Sequence, residues 1–156
     1  FCEHKGLFAT KGPKPPEGHV IELGKANIVR EGTDVTIVAL ASTVHTSLAA
    51  AERLAAEGVS AEVIDLRCLI PMDLTTVLTS VGKTSRLITV EENPHQGGWG
   101  ATLVSVVVDE GFQLLDAPVK RVASENVPLP FADTLEEAVI PTVDKVVAAV
   151  KAVVNF

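Results

Sequence analysis

The sequence DVTIVAL, at positions 34–40, is a nearly unbroken run of β-branched and apolar residues. A strand with one face in water alternates apolar and polar residues, whereas a strand covered on both faces is apolar throughout. The run is too continuous for a half-solvated strand. It therefore predicts a strand of a parallel sheet that is buried on both faces.

Helices and strands are predicted to alternate after this run. Ser42 and Thr43 are suited to cap a helix over 45–57, which ends at Gly58 because glycine readily adopts the left-handed conformation of a helix terminus. Strands are predicted at 59–66 and 86–90, with a helix at 72–81 between Pro71 and Gly82. A helix at 101–110 and an edge strand at 119–123 follow. An extended segment with Pro128, Pro130 and Pro141 is expected to lie against the sheet, and a closing helix begins at Thr142. This order predicts an α/β fold, a three-layer α/β/α sandwich around a mainly parallel, mixed sheet.

A glycine-rich loop, ENPHQGGWG at 92–100, follows the third of these strands. In open α/β sheets, ligands bind at this end of the strands. The loop lacks the third glycine of the dinucleotide-binding fingerprint, and no phosphate-binding lysine follows it. Free amides at the helix start could seat an anion, which Glu91 and Glu92 would oppose. The alternative is a strand-to-helix turn whose glycines let the backbone pass close to a neighbour.

Two side chains of this loop are candidates for a subunit interface. His95 has acidic neighbours, but no nucleophile motif such as GxSxG accompanies it, so we interpret it as a contact residue rather than a general base. Trp99 is the only tryptophan and is expected to be buried against a neighbouring element or subunit. The sequence shows no catalytic constellation and no metal-ligand spacing.

Composition and charge exclude several classes of protein. A chain of 156 residues that is 47% hydrophobic is typical of one soluble α/β domain. A net charge of -7 repels nucleic acid and favours a basic protein partner. The two cysteines are far apart and Cys68 lies in an apolar run, which indicates reduced thiols in a cytosol-like compartment. The chain has no run of about 18 apolar residues, so we expect no membrane span.

Five motifs, in a fixed order, resemble those of a known family. They are GKANIVREGTDVTIVA (24–39), EVIDLRCLIPMD (62–73), ITVEE (88–92) with its glycine-rich loop, LDAPVKRV (115–122) and VPLPFADTLEEAVIP (127–141) before the closing helix. With them the chain resembles the C-terminal domain of the β subunit of the first component of 2-oxo acid dehydrogenases of the pyruvate, branched-chain 2-oxo acid or acetoin type. These are thiamine-diphosphate-dependent enzymes of the transketolase superfamily. The resemblance divides the chain into 1–18, the end of an upstream pyrimidine-binding domain and a linker, and 19–156, a transketolase C-terminal-like domain.

The resemblance implies an enzyme of two α and two β subunits. That enzyme decarboxylates a 2-oxo acid and reductively acylates the lipoyl group of its second component, a lipoyl acyltransferase. Thiamine diphosphate and Mg are then bound mainly outside this chain, so we assign it no catalytic, cofactor-binding or metal-binding residue and expect it to be inactive in isolation. Its expected role is β/β assembly and docking of the second component. The expected compartment is the bacterial cytoplasm, with the mitochondrial matrix as the alternative.

The same resemblance implies two partner-binding residues. Asp116, in the LDAP motif, and Phe156, through its terminal carboxylate, correspond to positions that dock the small basic subunit-binding domain of the second component. The alternatives are a turn residue that bonds its own backbone, for Asp116, and a frayed terminus, for Phe156. A different function also stays open at this point, a free-standing domain that binds a small molecule or an anion at the 91–100 loop.

Overall fold

The structure, a computed structural model, describes residues 1–156. The strands are β1 (Asn27–Arg30), β2 (Val35–Ala39), β3 (Ala61–Asp65), β4 (Leu87–Pro94) and β5 (Lys120–Ser124). The helices are α1 (Ser42–Ala55), α2 (Leu74–Thr84), α3 (Trp99–Gly111), α4 (Asp133–Val139) and α5 (Val143–Val154), with short 3-10 turns at Lys5–Leu7 and Phe112–Leu114. None of these helices combines the length and the apolar character that crossing a membrane requires.

The five strands form one sheet in the order β1-β3-β2-β4-β5. The pairs β2 with β3, β2 with β4, and β4 with β5 are parallel, whereas β1 pairs with β3 in the antiparallel direction. The sheet is therefore mixed and mainly parallel, and β5 is an edge strand. Both features agree with the prediction.

Two helical layers cover the sheet, and β2 is buried along its whole length. Val35, Ile37 and Ala39 face a core that α1 and α5 close, while Val38 faces a second core that α2 and α3 close. All five residues of β2 are fully buried. The predicted three-layer α/β/α sandwich and its doubly covered strand are confirmed.

The start of α1 differs from the prediction. The helix begins at Ser42 rather than at position 45, and no side chain caps it. The hydroxyl of Thr43 instead lies 2.8 Å from the carbonyl oxygen of Leu40 and 2.9 Å from that of Val90. Thr43 therefore links the residue after β2 to the middle of β4, which is a tertiary role that local capping preferences do not reveal.

Both predicted ends of the second helix are wrong. Asp73 caps α2 by accepting a hydrogen bond from the Thr76 amide at 3.1 Å, so the helix begins two residues later than predicted. It also continues through Gly82, and Ser85 ends it in the left-handed conformation with a φ of 54°. A glycine inside a helix is tolerated where packing stabilises the surrounding turns.

Two elements were not predicted, and one segment lies elsewhere than expected. The short strand β1 and the short helix α4 have no counterpart in the sequence prediction. The segment with Pro128 and Pro130 does not lie against the sheet, because no residue between positions 125 and 140 is buried. It forms a loop that ends in α4 and leads back to α5.

A buried carboxylate on β3 joins three parts of the fold. The side chain of Glu62 is fully buried and accepts hydrogen bonds from the Ser80 hydroxyl, the Lys83 ammonium and, at 3.2 Å, the Gly32 amide. Lys83 also contacts Glu31 at 3.2 Å. A side chain at Gly32 would meet the backbone of β3 at 2.2 Å, so only glycine lets this amide approach the carboxylate.

Hydrogen bonding decides the ionisation of this pair. Burial opposes the charged form of Glu62, but the hydrogen bonds from Lys83, Ser80 and Gly32 together outweigh it and hold its pKa below the ordinary 4.5. The hydrogen bond to Glu62 raises the pKa of Lys83 above its ordinary 10.5. Because folding lowers the pKa of Glu62, the ionised side chain stabilises the folded state at pH values above the ordinary 4.5. This stabilisation is lost as the pH falls through the lower folded-state pKa. The contribution of Lys83 is lost only as the pH rises through its raised pKa.

Replacing Lys83 by methionine should lower the free energy of unfolding at pH 7 by about 2 kcal/mol, because it leaves Glu62 buried without its cation. Lys151→Met is the matched control. Lys151 pairs with Glu57 at 2.6 Å and is 44% exposed, close to the 41% of Lys83, but its partner is 50% exposed rather than buried. We expect that control to cost less than about 0.5 kcal/mol. Urea unfolding measures both, and equal losses would contradict the role of Glu62.

Candidate functional site

An open groove of about 490 Å³ lies beside the C-terminal half of α3. The helix contributes Val104 and Val108, the turn after it Phe112, the segment leading to β5 Leu115–Val119, and the last residue Phe156. Seven of the nine lining residues are hydrophobic. The groove is therefore an apolar surface with few polar groups, a composition typical of recognition sites.

Helix α3 lines this groove because it is apolar on two faces. Leu103 and Val107 are fully buried against the sheet and α2. Val104 and Val108, one position further along each turn, face the groove, and Phe112 is 68% exposed. The sequence analysis missed these three residues. The sequence signal that could have identified them is that α3 carries two apolar pairs at helical spacing, Leu103 with Val107 and Val104 with Val108. A helix that covers one side of a sheet needs only one such pair.

Asp116 is the only charged residue of the groove. Its amide donates a hydrogen bond of 2.9 Å to the carbonyl oxygen of Ser85, the residue that ends α2. The next residue, Ala117, is buried, whereas Asp116 is exposed. The backbone therefore fixes the segment and leaves the carboxylate at the solvent-facing rim.

Arg86, the residue after Ser85, positions the other end of the groove. Its Nε donates a hydrogen bond of 3.0 Å to the carbonyl oxygen of Val153, which is buried in the last turn of α5. Phe156 follows that turn and is 78% exposed. Because Ser85 and Arg86 are adjacent, they hold Asp116 and Phe156 at one groove although these lie 40 positions apart in the sequence. Their roles in partner binding stay predictions.

The glycine-rich loop at the opposite end of α3 surrounds a second buried carboxylate. Glu91 is 1% exposed and accepts hydrogen bonds from the Gly100 amide at 2.9 Å and from Arg121 at 2.6 Å. A Cβ atom at either Gly98 or Gly100 would lie 2.4 Å from a Glu91 oxygen. The loop is thus a strand-to-helix turn whose glycines let the backbone pass close to a neighbour, as one of the two interpretations predicted.

His95 and Trp99 lie in this loop, away from the groove. His95 is exposed, while its amide donates to Ser124 at 3.2 Å and its carbonyl oxygen accepts from Arg121 at 2.8 Å. Trp99 is half-buried and packs against the core beneath α2 and α3. Part of the burial expected for Trp99 therefore comes from its own chain. Their participation in a subunit interface stays a prediction.

The chain's own residues do not fit thiamine diphosphate and its metal. No three histidine, cysteine, aspartate or glutamate side chains come together in a way that could hold a metal ion. At the start of α3, where a diphosphate could meet free amides, the Glu91 carboxylate already bonds the Gly100 amide. A diphosphate there would meet a buried negative charge.

Replacing Gly100 by alanine should lower the free energy of unfolding by about 3 kcal/mol, because the new methyl group would lie against Glu91 and 2.7 Å from the Thr89 hydroxyl. Gly12→Ala is the control, since a Cβ there has no neighbour within 4 Å. We expect it to change stability by less than about 0.5 kcal/mol. Thermal unfolding compares the two, and an unaffected Gly100→Ala protein would argue against close packing at the loop.

Known proteins resemble this chain over most of its length. The family described as "Transketolase, C-terminal domain" matches residues 24–146. Acetoin:2,6-dichlorophenolindophenol oxidoreductase subunit beta of Bacillus subtilis (strain 168) is 43% identical over 148 residues, which are 95% of this chain and 43% of that protein. Pyruvate dehydrogenase E1 component subunit beta, mitochondrial, of Pisum sativum is 49% identical over 155 residues, which are 97% of this chain and 43% of that protein.

A solved structure also resembles the fold. It is titled "Split gene transketolase, inactive beta4 tetramer", is 33% identical, has a TM-score of 0.77, and matches 92% of this chain and 46% of that one. The chain therefore spans less than half the length of these proteins. The match at 24–146 confirms the family that the five motifs predicted: the chain belongs to the transketolase C-terminal domain family.

Proposed function

We propose that this chain is the C-terminal domain of the β subunit of a thiamine-diphosphate-dependent 2-oxo acid dehydrogenase, and that it serves subunit assembly and docking rather than catalysis. The names of the relatives support the first part, since both curated proteins described above are beta subunits of oxidoreductases. The apolar groove with one exposed carboxylate, Asp116, carries the second part.

In this proposal the rest of the enzyme performs the chemistry. The intact enzyme decarboxylates a 2-oxo acid and transfers the acyl group to the lipoyl group of the second component. Thiamine diphosphate and Mg are held outside this chain. The partners are an α subunit, a second β subunit and the lipoyl acyltransferase. We place the enzyme in the bacterial cytoplasm, with the mitochondrial matrix as the alternative, and the relatives include one bacterial and one mitochondrial protein.

The proposal divides the chain at position 18. Residues 1–18 are taken as the end of the upstream domain and a linker, and 19–156 as the C-terminal domain. The absence of any strand before Asn27 and the exposure of nearly all residues before Gly24 support such a boundary. The His4 ring nitrogen also contacts Glu92 at 3.0 Å, so the first residues lie along the strand ends of the sheet.

The groove suits a small basic domain. A lysine or arginine of the partner would bond the Asp116 carboxylate in charge-assisted hydrogen bonds of about 1.5 to 3 kcal/mol each, beside the exposed side chain of Phe156. The side chains of Val108 and Phe112 would exclude water around these bonds, which strengthens them. The net charge of -7 adds a long-range attraction for a basic partner.

The other candidate function, anion binding at the 91–100 loop, has less support. An anion at the start of α3 would have to displace Glu91, which is buried and paired with Arg121. It would also lie close to Glu92, which is exposed on the same strand. Both charges oppose it.

Asp116→Asn in the intact β subunit should weaken binding of the basic domain of the second component about tenfold, because a charge-assisted bond becomes a neutral one. Removal of Phe156 should have a similar effect. Isothermal titration calorimetry with the purified basic domain measures both affinities.

Asp144→Asn serves as the control for that titration. Asp144 is an exposed acid, 83% accessible, at the other end of α5, where it pairs with Arg53. Its substitution changes the net charge by the same amount without touching the groove. If Asp144→Asn weakened binding as much as Asp116→Asn, the effect would come from net charge alone and the docking role of the groove would be wrong.

A further inference from the structure

A second group of exposed apolar side chains lies in the segment between β5 and α5. Residues 125–140, called here the proline arm, leave the fold after β5 and return to it before α5, and none of them is buried. Four large apolar side chains of the arm are more than half exposed: Val127 at 51%, Leu129 at 62%, Phe131 at 101% and Leu135 at 57%. Exposed apolar residues grouped in this way mark an interaction site.

The base of the arm is fixed to the fold. The Glu125 amide donates a hydrogen bond of 3.0 Å to the carbonyl oxygen of Val139, which closes the loop. The Lys145 ammonium, at the start of α5, donates to the carbonyl oxygens of Ala138 and Ile140 at 2.9 Å each. The exposure of the apolar residues is therefore not the fraying of a chain end.

The tip of the arm is stiff. Pro128 and Pro130 each restrict φ to about -65° and bias the residue before them to an extended conformation. Leu129 lies between the two prolines and Phe131 directly follows the second. A side chain presented on a stiff segment loses little conformational entropy on binding, which favours its use as an anchor.

The charge of the arm identifies the kind of partner. The arm has no lysine or arginine, and its acidic residues are Glu125, Asp133, Glu136 and Glu137. A second copy of this chain, with a net charge of -7, would repel such a segment. The arm is therefore complementary to a different protein that carries lysine or arginine around an apolar pocket.

We propose that the proline arm inserts Leu129 and Phe131 into an apolar pocket with a basic rim on the non-identical subunit of the enzyme. This inference rests on the proposed function, because a beta subunit of this kind has a non-identical partner. No residue of the arm lines the groove that contains Asp116. The chain thus offers two separate surfaces, one for the second component and one for the partner subunit.

The test uses the intact β subunit and the purified non-identical subunit. Phe131→Ala should raise the dissociation constant of this pair at least about tenfold, the usual size of the loss when an aromatic anchor is truncated. Phe112→Ala is the matched control, because it removes another exposed phenylalanine, 68% accessible, from the groove. The control should leave the affinity for the non-identical subunit within about twofold of the wild-type value. It should weaken only the binding of the basic domain of the second component.

A second variant tests the charge. Glu137→Arg places a cation on the exposed side of α4, so it should raise the dissociation constant of the pair several-fold at low salt and less at high salt. Unchanged binding by both Phe131→Ala and Glu137→Arg would overturn the inference.

Three further outcomes would also overturn it. Loss of β/β association in Phe131→Ala would assign the arm to a second copy of the chain. A lower melting temperature of the isolated Phe131→Ala β subunit would place the arm against another domain of the same chain. If the wild-type β subunit bound no non-identical subunit at all, the proposed function itself would fail together with the inference.

Discussion

The structure depends on the burial of β2 on both faces. A strand without a solvent-facing side requires a helical layer above and below it, and the chain supplies α1 and α5 for one layer and α2 and α3 for the other. Helix α3, which lines the groove, and helix α5, which leads to the groove residue Phe156, therefore lie on opposite faces of the sheet. Ser85 and Arg86, at the entry to β4, bring their ends together with one hydrogen bond each.

Two buried carboxylates add specificity to this apolar core. Glu62 is satisfied by Lys83, Ser80 and the backbone amide of Gly32, and Glu91 by Arg121 and a backbone amide at the start of α3. Each network joins a strand to a helix and to a further segment that is distant in the sequence. A buried charge tolerates only the arrangement that satisfies it, so these networks disfavour other packings of the same apolar residues. They account for both acids without a catalytic role.

The two exposed apolar surfaces differ in the way they are built. The groove is an open depression beside α3 and carries Asp116 as its charged residue. The proline arm has no buried residue, and Phe131 on it is fully exposed. Under the proposed function, the apolar groove with its single carboxylate receives a small basic domain, whereas the exposed side chains of the arm enter a pocket of the partner subunit. This division gives the chain, under the proposed function, one surface for each of two partners.

The sequence by itself determined the features that depend on local pattern. The run at 34–40 predicted a strand buried on both faces, and the alternation of elements predicted the layers. Both depend on the periodicity of apolar residues, which is a property of neighbouring positions. The five motifs revealed the family. Helix ends were less predictable, since α2 begins at Leu74, after the Asp73 cap, and passes through Gly82.

Only the tertiary structure decided which distant residues meet. The strand β1 is only four residues long and pairs with β3 across a long stretch of chain, so its local pattern was too weak to identify it. Asp116 and Phe156 were predicted as separate residues, but their shared groove and its wall at Phe112 became visible only in the fold. The physical reason is that a strand's burial is encoded within a few residues, whereas a binding surface is formed by side chains and hydrogen bonds from elements far apart in the chain.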